Sequence, residues 1–501
     1  MNTPKQLYLT TGIALLISLL LYYPVFFTDY AFTDEAHQLW NNKDGSNFIM
    51  FLNQGRIITG WLFDVAFANM QSVSDIKWLR IFSFASLLVF MFVYAVYGRK
   101  LFKQLGLPAE LWWLSLLFIP CSLSAAVYVG WASCAEIFFA TTTAFLSGYV
   151  LFIKLNSAEQ YLQIPTGTLV LSVLFALSSL FTYQPAFGFF LLPFLLCFIS
   201  KKASKVDRTV LIGIVFYLAC YVLYYLLFKY SLKAYHVPAS TRTAIRIDPL
   251  GKLSFFFSYP LAQAFSFNFL YNARSITSQL FYPAMLIFWL VSLYWQNNKM
   301  QVGKILLHIV FCFGFFVLMY LPLMISLENF ASYRTMFAFN FAAFVILCHS
   351  LLTFFKREQI IRWVTVAASL ILTITAFYNY HYNFSKPLTM EYQTLRNGFV
   401  QQYKEGDSVL LRRPRVHAFK PIYGINYYTD EFGYPSTEKD WTVDPLLKQL
   451  LLEKTGSREK AGRLVVHQYA HADSVQFNAK RSAFPGLVID MEQLMMKSNA
   501  E

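Results

Sequence analysis

Charged side chains are scarce in this sequence. Only 14% of the 501 residues are Asp, Glu, Lys or Arg, whereas 57% are hydrophobic and the mean hydropathy is +0.45. Soluble domains carry about 25% charged residues, so an ordinary soluble protein is excluded. A chain this hydrophobic also does not stay solvated as a disordered segment. The composition therefore indicates a protein that spans a membrane several times.

Cysteine is also rare, with six residues in the whole chain. No pair of these cysteines has the spacing of a zinc site. All of them lie in or at the edges of apolar runs: Cys121, Cys134, Cys197, Cys220, Cys312 and Cys348. We therefore interpret them as small packing residues.

The few charges are unevenly distributed. Residues 386–501 hold 16 basic and 14 acidic side chains, whereas residues 1–385 hold 25 basic and only 13 acidic ones. The basic surplus lies between apolar runs, as it does in the cytoplasmic loops of membrane proteins. The net charge of +14 is therefore attributed to membrane topology and not to a nucleic-acid partner.

The apolar runs predict about eleven transmembrane helices, because roughly 20 apolar residues are needed to cross the hydrocarbon core. They lie near 8–27, 79–98, 111–129, 135–153, 166–185, 187–200, 209–228, 278–296, 305–326, 335–355 and 361–379. Clusters of Lys and Arg in alternate loops place the N-terminus in the cytoplasm. The large outside connections are then 28–78 and 230–277, and an odd number of crossings places the C-terminus outside.

The composition changes after about residue 386. Charges become frequent, and short β-like runs occur at 408–411, 464–466 and 487–489, with a helical stretch near 444–454. The sequence thus predicts an all-α polytopic membrane domain over 1–385. A small soluble α/β domain over 386–501 is expected to follow it on the periplasmic or extracellular side of the cytoplasmic membrane.

The acidic residues of the membrane part are concentrated in its first outside connection. Six of the thirteen lie between positions 29 and 75, and Asp34-Glu35 directly follows the first predicted membrane helix. Either carboxylate could cap a short helix or complement its dipole. Alternatively, a carboxylate at the membrane surface could act as a general base toward a lipid-borne substrate.

The Asp34-Glu35 pair, the many helices and the outside C-terminal domain resemble the GT-C superfamily of membrane glycosyltransferases. This superfamily includes the protein O-mannosyltransferases and the lipid A aminoarabinose transferases. With Gly55-Arg56 and Tyr183-Gln184, the chain is most similar to the serotype-converting, O-antigen-modifying glucosyltransferases, which usually have Asp-Asp where this chain has Asp-Glu. The resemblance covers roughly residues 1–380. It implies transfer of a sugar from a polyprenyl-phosphate donor to an acceptor hydroxyl on the outer face of the membrane.

The resemblance also implies roles for the acidic cluster. Asp34 is the expected general base, and Glu35 is expected to share that role or to orient the acceptor. His37 is a further polar candidate for substrate binding. These three residues could instead hold a divalent metal ion, a point on which the related families differ.

Cations on the outer face are candidates for binding the departing phosphate. The candidates are Arg56, Arg242, Arg246 and Arg334. Arg242 and Arg246 are four positions apart and are predicted to share a helix face. The alternative for each arginine is an interfacial contact with lipid headgroups.

Tyr183 and Gln184 are candidates for sugar binding. Pro185 follows them and is expected to break a helix at this point. An aromatic ring beside an amide can stack on a sugar and hydrogen-bond its hydroxyls. The alternative for an aromatic residue at this depth is the interfacial belt of membrane proteins.

Two other functions were weighed against a glycosyltransferase. A transporter or flippase for a lipid-linked glycan would place several charges at mid-membrane, where Glu136 is the main ionisable residue. An O-antigen polymerase or ligase would carry its arginines in a large late loop. The expected partners are the bilayer, a lipid-linked sugar donor and a glycan, lipid or protein acceptor. No nucleic acid is expected, and beyond the metal ion no cofactor is indicated.

Overall fold

The computed structural model describes residues 4–42, 45–157, 164–200, 207–245, 248–296, 302–355, 357–406, 408–424 and 431–498. Within these ranges, eight helices are long and apolar enough to cross a bilayer. They are Leu7–Phe26, Val73–Gln104, Ala109–Gly130, Ala132–Asn156, Arg208–Ala234, Ile276–Trp295, Phe337–Phe354 and Glu358–Gln402. The chain is thus a helical, polytopic membrane protein.

Shorter apolar helices complete the membrane part. In the described residues they are Ile57–Ala68, Thr166–Thr182, Gln184–Ser200 and Ile305–Met319. The last three coincide with predicted crossings but are shorter than a full span, so the count of eleven stays a prediction. Ile57–Ala68 lies in the first outside connection, where no apolar helix was predicted.

Aromatic side chains fill the centre of the helix bundle. The apolar window of Ala109–Gly130 is 94% buried, whereas that of Ile276–Trp295 is only 17% buried. At the centre, the rings of Phe118 and Phe344 stack nearly parallel with centroids 4.1 Å apart. Peripheral helices instead expose apolar side chains such as Ile287, which lipid covers in a membrane.

The tail contains a three-stranded parallel sheet. Its strands are β1 Val409–Arg412, β2 Val466–Tyr469 and β3 Leu487–Asp490, in the order β2-β1-β3. All three predicted strands are thereby confirmed. Helices Ser474–Arg481 and Met491–Ser498 pack on the strands.

The last apolar helix joins the two parts of the chain without a break. Glu358–Gln402 has 45 residues and is therefore about 68 Å long at 1.5 Å per residue. This length is more than twice the roughly 30 Å of the hydrocarbon core. A π-helical turn at His381–Ser385 interrupts its α-helical pattern. The predicted domain boundary at 385/386 therefore falls inside one continuous helix.

The tail docks on the first connection of the membrane part. Helix Asp440–Thr455 packs along helix Asp34–Trp40, and Thr442 Oγ1 donates a hydrogen bond of 3.1 Å to the carbonyl of Thr33. Gln449 Nε2 likewise donates to a carbonyl of this connection over 2.7 Å. The tail and the first connection therefore lie at the same end of the bundle, which requires an odd number of crossings.

This shared location predicts the outcome of cysteine labelling, because all six native cysteines are buried. Single cysteines replacing the exposed residues Asn69 and Gln476 should react with a membrane-impermeant maleimide from the same side. Lys103→Cys, at the far end of Val73–Gln104, should react only from the opposite side. Labelling of positions 476 and 103 from one side would contradict the docking of the tail.

Candidate functional site

Helix Asp34–Trp40 presents two different faces. Glu35 and Gln38 are buried, whereas Asp34 and His37 are half-buried. Residues three apart on a helix share a face, so Asp34 and His37 lie on the more open side. The adjacent carboxylates of the predicted pair therefore have different surroundings.

Glu35 forms a fully buried ion pair with Arg80. Its Oε2 lies 2.5 Å from Nη2 of Arg80 and 2.8 Å from the amide of Phe32, and its Oε1 accepts a 2.6 Å hydrogen bond from the amide of Ala132. Arg80 also stacks on the ring of Tyr30 at 3.6 Å. Burial raises the pKa of Glu35, while Arg80 and the two amides act in the opposite direction. Both oxygens of Glu35 are thus engaged by donors of the protein itself.

The structure does not assemble Asp34, Glu35 and His37 as a ligand set for a metal ion. The described residues contain no cluster of three or more His, Cys, Asp or Glu side chains. Glu35 is committed to Arg80, whereas Oδ1 of Asp34 accepts a 3.0 Å hydrogen bond from Nε1 of Trp441. Asp34 and His37 are left together on the half-buried face of their helix.

Arg334 lies in the connection before helix Phe337–Phe354. Its guanidinium is stacked over the ring of Trp131 at 4.6 Å, and its Nε lies 3.6 Å from Oε1 of Glu431. Burial acts to lower the pKa of Arg334. The negative field of Glu431, with a further contribution from Asp34, more than offsets this and raises that pKa. Arg334 is therefore a permanent, partly exposed cation.

Arg56 is held in a similar way. Its guanidinium lies 4.6 Å from the ring centre of Tyr183, and its Nε donates a 3.4 Å hydrogen bond to Oε1 of Gln184. The predicted helix break is confirmed, because helix Thr166–Thr182 ends immediately before Tyr183, whose backbone is extended. Because the helix ends here, the ring of Tyr183 and the side-chain amide of Gln184 both contact Arg56.

The turn that precedes Arg56 requires a glycine. Gly55 has a φ of +79°, and a methyl group there would overlap the hydroxyl of Tyr224. Nε2 of Gln184 donates to that hydroxyl over 2.5 Å and to the carbonyl of Gln54 over 3.0 Å. The close approach of these side chains fixes the position of Arg56.

Tyr183 connects the two arginines. Its ring contacts Arg56, and its hydroxyl donates a 3.2 Å hydrogen bond to the backbone carbonyl of Arg334. The buried Cys134 also lies within electrostatic range of both guanidinium groups. Among the described residues, neither arginine donates a hydrogen bond from its terminal Nη atoms. Stacking on an aromatic ring and a polar contact through Nε therefore orient Arg56 and Arg334. Their Nη atoms make no hydrogen bond to the described residues.

These contacts define a cluster that we call the arginine site. Its members are Asp34, Arg56, Trp131, Tyr183 and Arg334. An additional carboxylate, Glu136, is buried behind it within electrostatic range of Arg56. The arginine site thus combines one half-buried carboxylate with two cations and two aromatic rings.

Arg242 is not part of this cluster. It is exposed on a short 3-10 turn, and the chain then extends into a β-bridge between Ile245 and Ser326. The prediction that Arg242 and Arg246 share a helix face is therefore wrong, because no helix continues through residue 245. Arg246 itself lies outside the described residues.

Three residues of the site region were missed in the sequence. Arg80 could have been found, because an ionisable residue inside an apolar run is unusual and calls for a partner. Glu431 and Trp441 carry no such signal. They reach Arg334 and Asp34, which are 97 and 407 positions away in the chain, only because the tail folds back onto the membrane part.

Comparisons with known proteins were made for the whole chain. No family model matches it, and no curated protein matches it. The geometry of the arginine site is therefore the basis of the functional proposal.

The buried ion pair leads to a stability prediction. Glu35→Gln should lower the free energy of unfolding by about 3–5 kcal/mol, because it leaves the charge of Arg80 buried without a partner. Thermal unfolding of the purified protein in detergent measures the change. The matched control is Glu358→Gln, which breaks an exposed ion pair with Arg362 and should have no measurable effect.

A double replacement tests the cause of that loss. Glu35→Leu combined with Arg80→Met removes both charges and should recover part of the lost stability. If Glu35→Gln unfolds at the same temperature as Glu358→Gln, the ion pair does not have the role assigned to it.

Proposed function

We propose that the chain is an integral-membrane glycosyltransferase working on the outer face of the cytoplasmic membrane. It would move a sugar from a polyprenyl-phosphate donor to an acceptor hydroxyl of a surface glycan, lipid or protein. One observation supports this most directly: Asp34, Arg56 and Arg334 lie around Tyr183 and Trp131 at one end of the bundle. A base and two cations are the groups that sugar transfer from a phosphate requires.

Asp34 is the proposed general base. Trp441 engages its Oδ1, and no described residue donates to its Oδ2. That oxygen is therefore available to the acceptor. The acceptor oxygen forms a bond to the anomeric carbon while its proton passes to Asp34. The bond from that carbon to the phosphate oxygen breaks, and the configuration at the carbon inverts.

Arg56 and Arg334 are proposed to hold the phosphate. A guanidinium matches two phosphate oxygens at once, and negative charge grows on these oxygens as the sugar departs. Stacking on Tyr183 and Trp131 orients both guanidinium planes before the donor binds. The 3.6 Å separation between Arg334 and Glu431 is longer than a charge-assisted hydrogen bond of about 2.7–2.9 Å. Glu431 therefore leaves the donors of Arg334 available.

The other predicted site residues of this region, Glu35, Gln184 and His37, are assigned positioning or binding roles. Glu35 acts as a positioning residue, because its contacts with Arg80 and Ala132 hold helix Asp34–Trp40 in place. Gln184 positions Arg56 and is not available to a sugar. His37 shares the open face of the helix with Asp34 and is proposed to contact the acceptor.

The base assignment predicts the behaviour of Asp34→Asn. Asparagine keeps an oxygen for Trp441 but does not accept the proton, so transfer should fall by roughly 10²–10⁴-fold. The measurement is transfer of labelled sugar from a panel of polyprenyl-phosphate hexoses in membranes. Asp64→Asn changes a half-buried carboxylate of the same connection and should leave transfer unchanged. Near wild-type transfer in Asp34→Asn would exclude Asp34 as the base, whereas no transfer by the wild-type chain from any donor of the panel would favour a transporter, polymerase or ligase.

The phosphate assignment predicts the behaviour of Arg334→Lys. Lysine keeps the charge but loses the fork of donors and the stacking on Trp131. We expect kcat/KM for the lipid-phosphate donor to fall on the order of 100-fold. Arg362→Lys, in an exposed ion pair, serves as the control. Steady-state parameters of Arg334→Lys that equal those of the control would remove Arg334 from the phosphate site.

A further inference from the structure

A cavity of about 430 Å³ lies outside the arginine site, between helix Ile276–Gln296 and helix Glu358–Tyr380. It is lined by Ser266, Phe269, Leu270, Thr277, Ser278, Phe281, Thr375, Tyr378, Asn379 and Asn383. None of these residues is charged. Six are neutral hydrogen-bonding residues, and the others are aromatic or aliphatic.

Three of the polar residues are buried in the cavity. Ser266, Asn379 and Asn383 are at most 4% exposed, whereas Thr277 is exposed, Phe269 is 43% and Tyr378 is 46% exposed. The floor of the cavity therefore carries two amides and a hydroxyl beside Leu270, and the mouth carries two aromatic rings and the hydroxyl of Thr277.

The mouth opens toward the lipid. Leu280 on one helix and Ile371 and Ile374 on the other are exposed next to it, and such side chains are covered by lipid tails in a membrane. Thr277 lies in the first turn of helix Ile276–Gln296, so the mouth is close to the membrane surface. A ligand thus enters sideways from the bilayer, at the depth of the lipid headgroups.

Hydrogen bonds orient the side-chain amides of Asn379 and Asn383 at the floor of the cavity. Nδ2 of Asn383 donates to Oδ1 of Asn379 over 3.2 Å, and Nδ2 of Asn379 donates to the carbonyl of Asn268 over 2.7 Å. Asn383 belongs to the π-helical turn His381–Ser385, and such turns are frequent at functional sites. No described residue donates to Oδ1 of Asn383, which leaves this oxygen for a ligand.

A chain of neighbouring residues connects the cavity to Arg334. Leu270 lines the cavity, and the amide of the next residue, Tyr271, donates a 2.9 Å hydrogen bond to the hydroxyl of Tyr333. Tyr333 directly precedes Arg334, and its ring packs on Phe432 of the tail at 5.6 Å.

We propose that this cavity binds the neutral sugar headgroup of a membrane glycolipid. Amides and hydroxyls both donate to and accept from sugar hydroxyls, and the rings of Phe269 and Tyr378 offer faces to the sugar. The uncharged lining does not match a phosphate headgroup, which proteins bind with cations. Binding of this lipid does not rest on the proposed function.

Photocrosslinking of the full chain in lipid nanodiscs tests the proposal. The probe is glucosyl diacylglycerol with a diazirine in one acyl chain, and the matched probe is phosphatidylglycerol with the same chain. We expect the glycolipid to label the two helices at the mouth about tenfold more strongly than the phospholipid.

Variants locate the binding to the cavity. Asn383→Leu removes the amide of the floor, and Thr277→Trp, at an exposed position, blocks the mouth without changing the core. Each should lower glycolipid labelling about tenfold, the amount expected from the loss of one to two hydrogen bonds at 1.4 kcal/mol per factor of ten. Asn340→Leu replaces an equally buried asparagine outside the cavity and should retain the labelling.

Two results would overturn the proposal: equal labelling by both lipids, or unchanged labelling in Thr277→Trp. Asp34→Asn separates the two proposals, because it should leave glycolipid labelling unchanged whether or not it abolishes transfer. Labelling that is retained in an inactive chain supports the lipid site alone.

Discussion

The buried contact between Glu35 and Arg80 fixes the arrangement of the end of the bundle on which the tail docks. Attraction between two buried charges offsets their lost hydration best when hydrogen bonds satisfy their other polar atoms. Here the amides of Phe32 and Ala132 donate to Glu35, and Nη2 of Arg80 donates to the carbonyl of Tyr30 over 2.8 Å. Nε and Nη1 of Arg80 are buried with no hydrogen-bond partner among the described residues. The pair therefore ties the first connection to two membrane helices. A shift of any of these segments would expose a charge without a partner.

The orientation of Asp34 follows from this contact. Glu35 holds the inner face of its short helix, so the neighbouring residue faces outward toward Arg334 and the tail. Trp441 then contacts Asp34, and Glu431 contacts Arg334. The tail thus contacts two members of the arginine site. Glu391, on the last apolar helix, stabilises the docked tail. It accepts hydrogen bonds of 2.9 Å from the backbone amides of Ser436 and Thr437.

Hydropathy and periodicity predicted the helices and strands well, because these patterns reflect which side chains face lipid or are buried inside the protein. They placed the three tail strands and most of the apolar helices close to their observed bounds. They did not decide whether helices such as Thr166–Thr182 cross the bilayer, since an apolar segment that is buried against neighbours need not span it. The prediction that Arg242 and Arg246 share a helix face was wrong because a spacing of four residues places two side chains on one face only where a helix forms. Here the chain is extended at Ile245.

The site was harder to predict than the fold. Asp34, Arg56 and Arg334 are predicted from their position in the outside connections. In the structure Tyr183 connects the two arginines, and Asp34 lies within electrostatic range of Arg334. The different surroundings of Asp34 and Glu35 could not be predicted from the sequence, because they depend on Arg80, which is 45 positions from Glu35. The contributions of the tail depend on its docking, for which short sequence patterns contain no information.

The continuous helix Glu358–Gln402 has a mechanical consequence. One part of it is immersed in hydrocarbon, and its other end is packed into the tail beside the strands. A membrane helix responds to a thinner or thicker bilayer by changing its tilt, and a rigid rod transmits that tilt along its whole length. Bilayer thickness would in this way move Trp441 and Glu431 relative to Asp34 and Arg334, which makes the lipid composition of the host membrane a determinant of the geometry at the site.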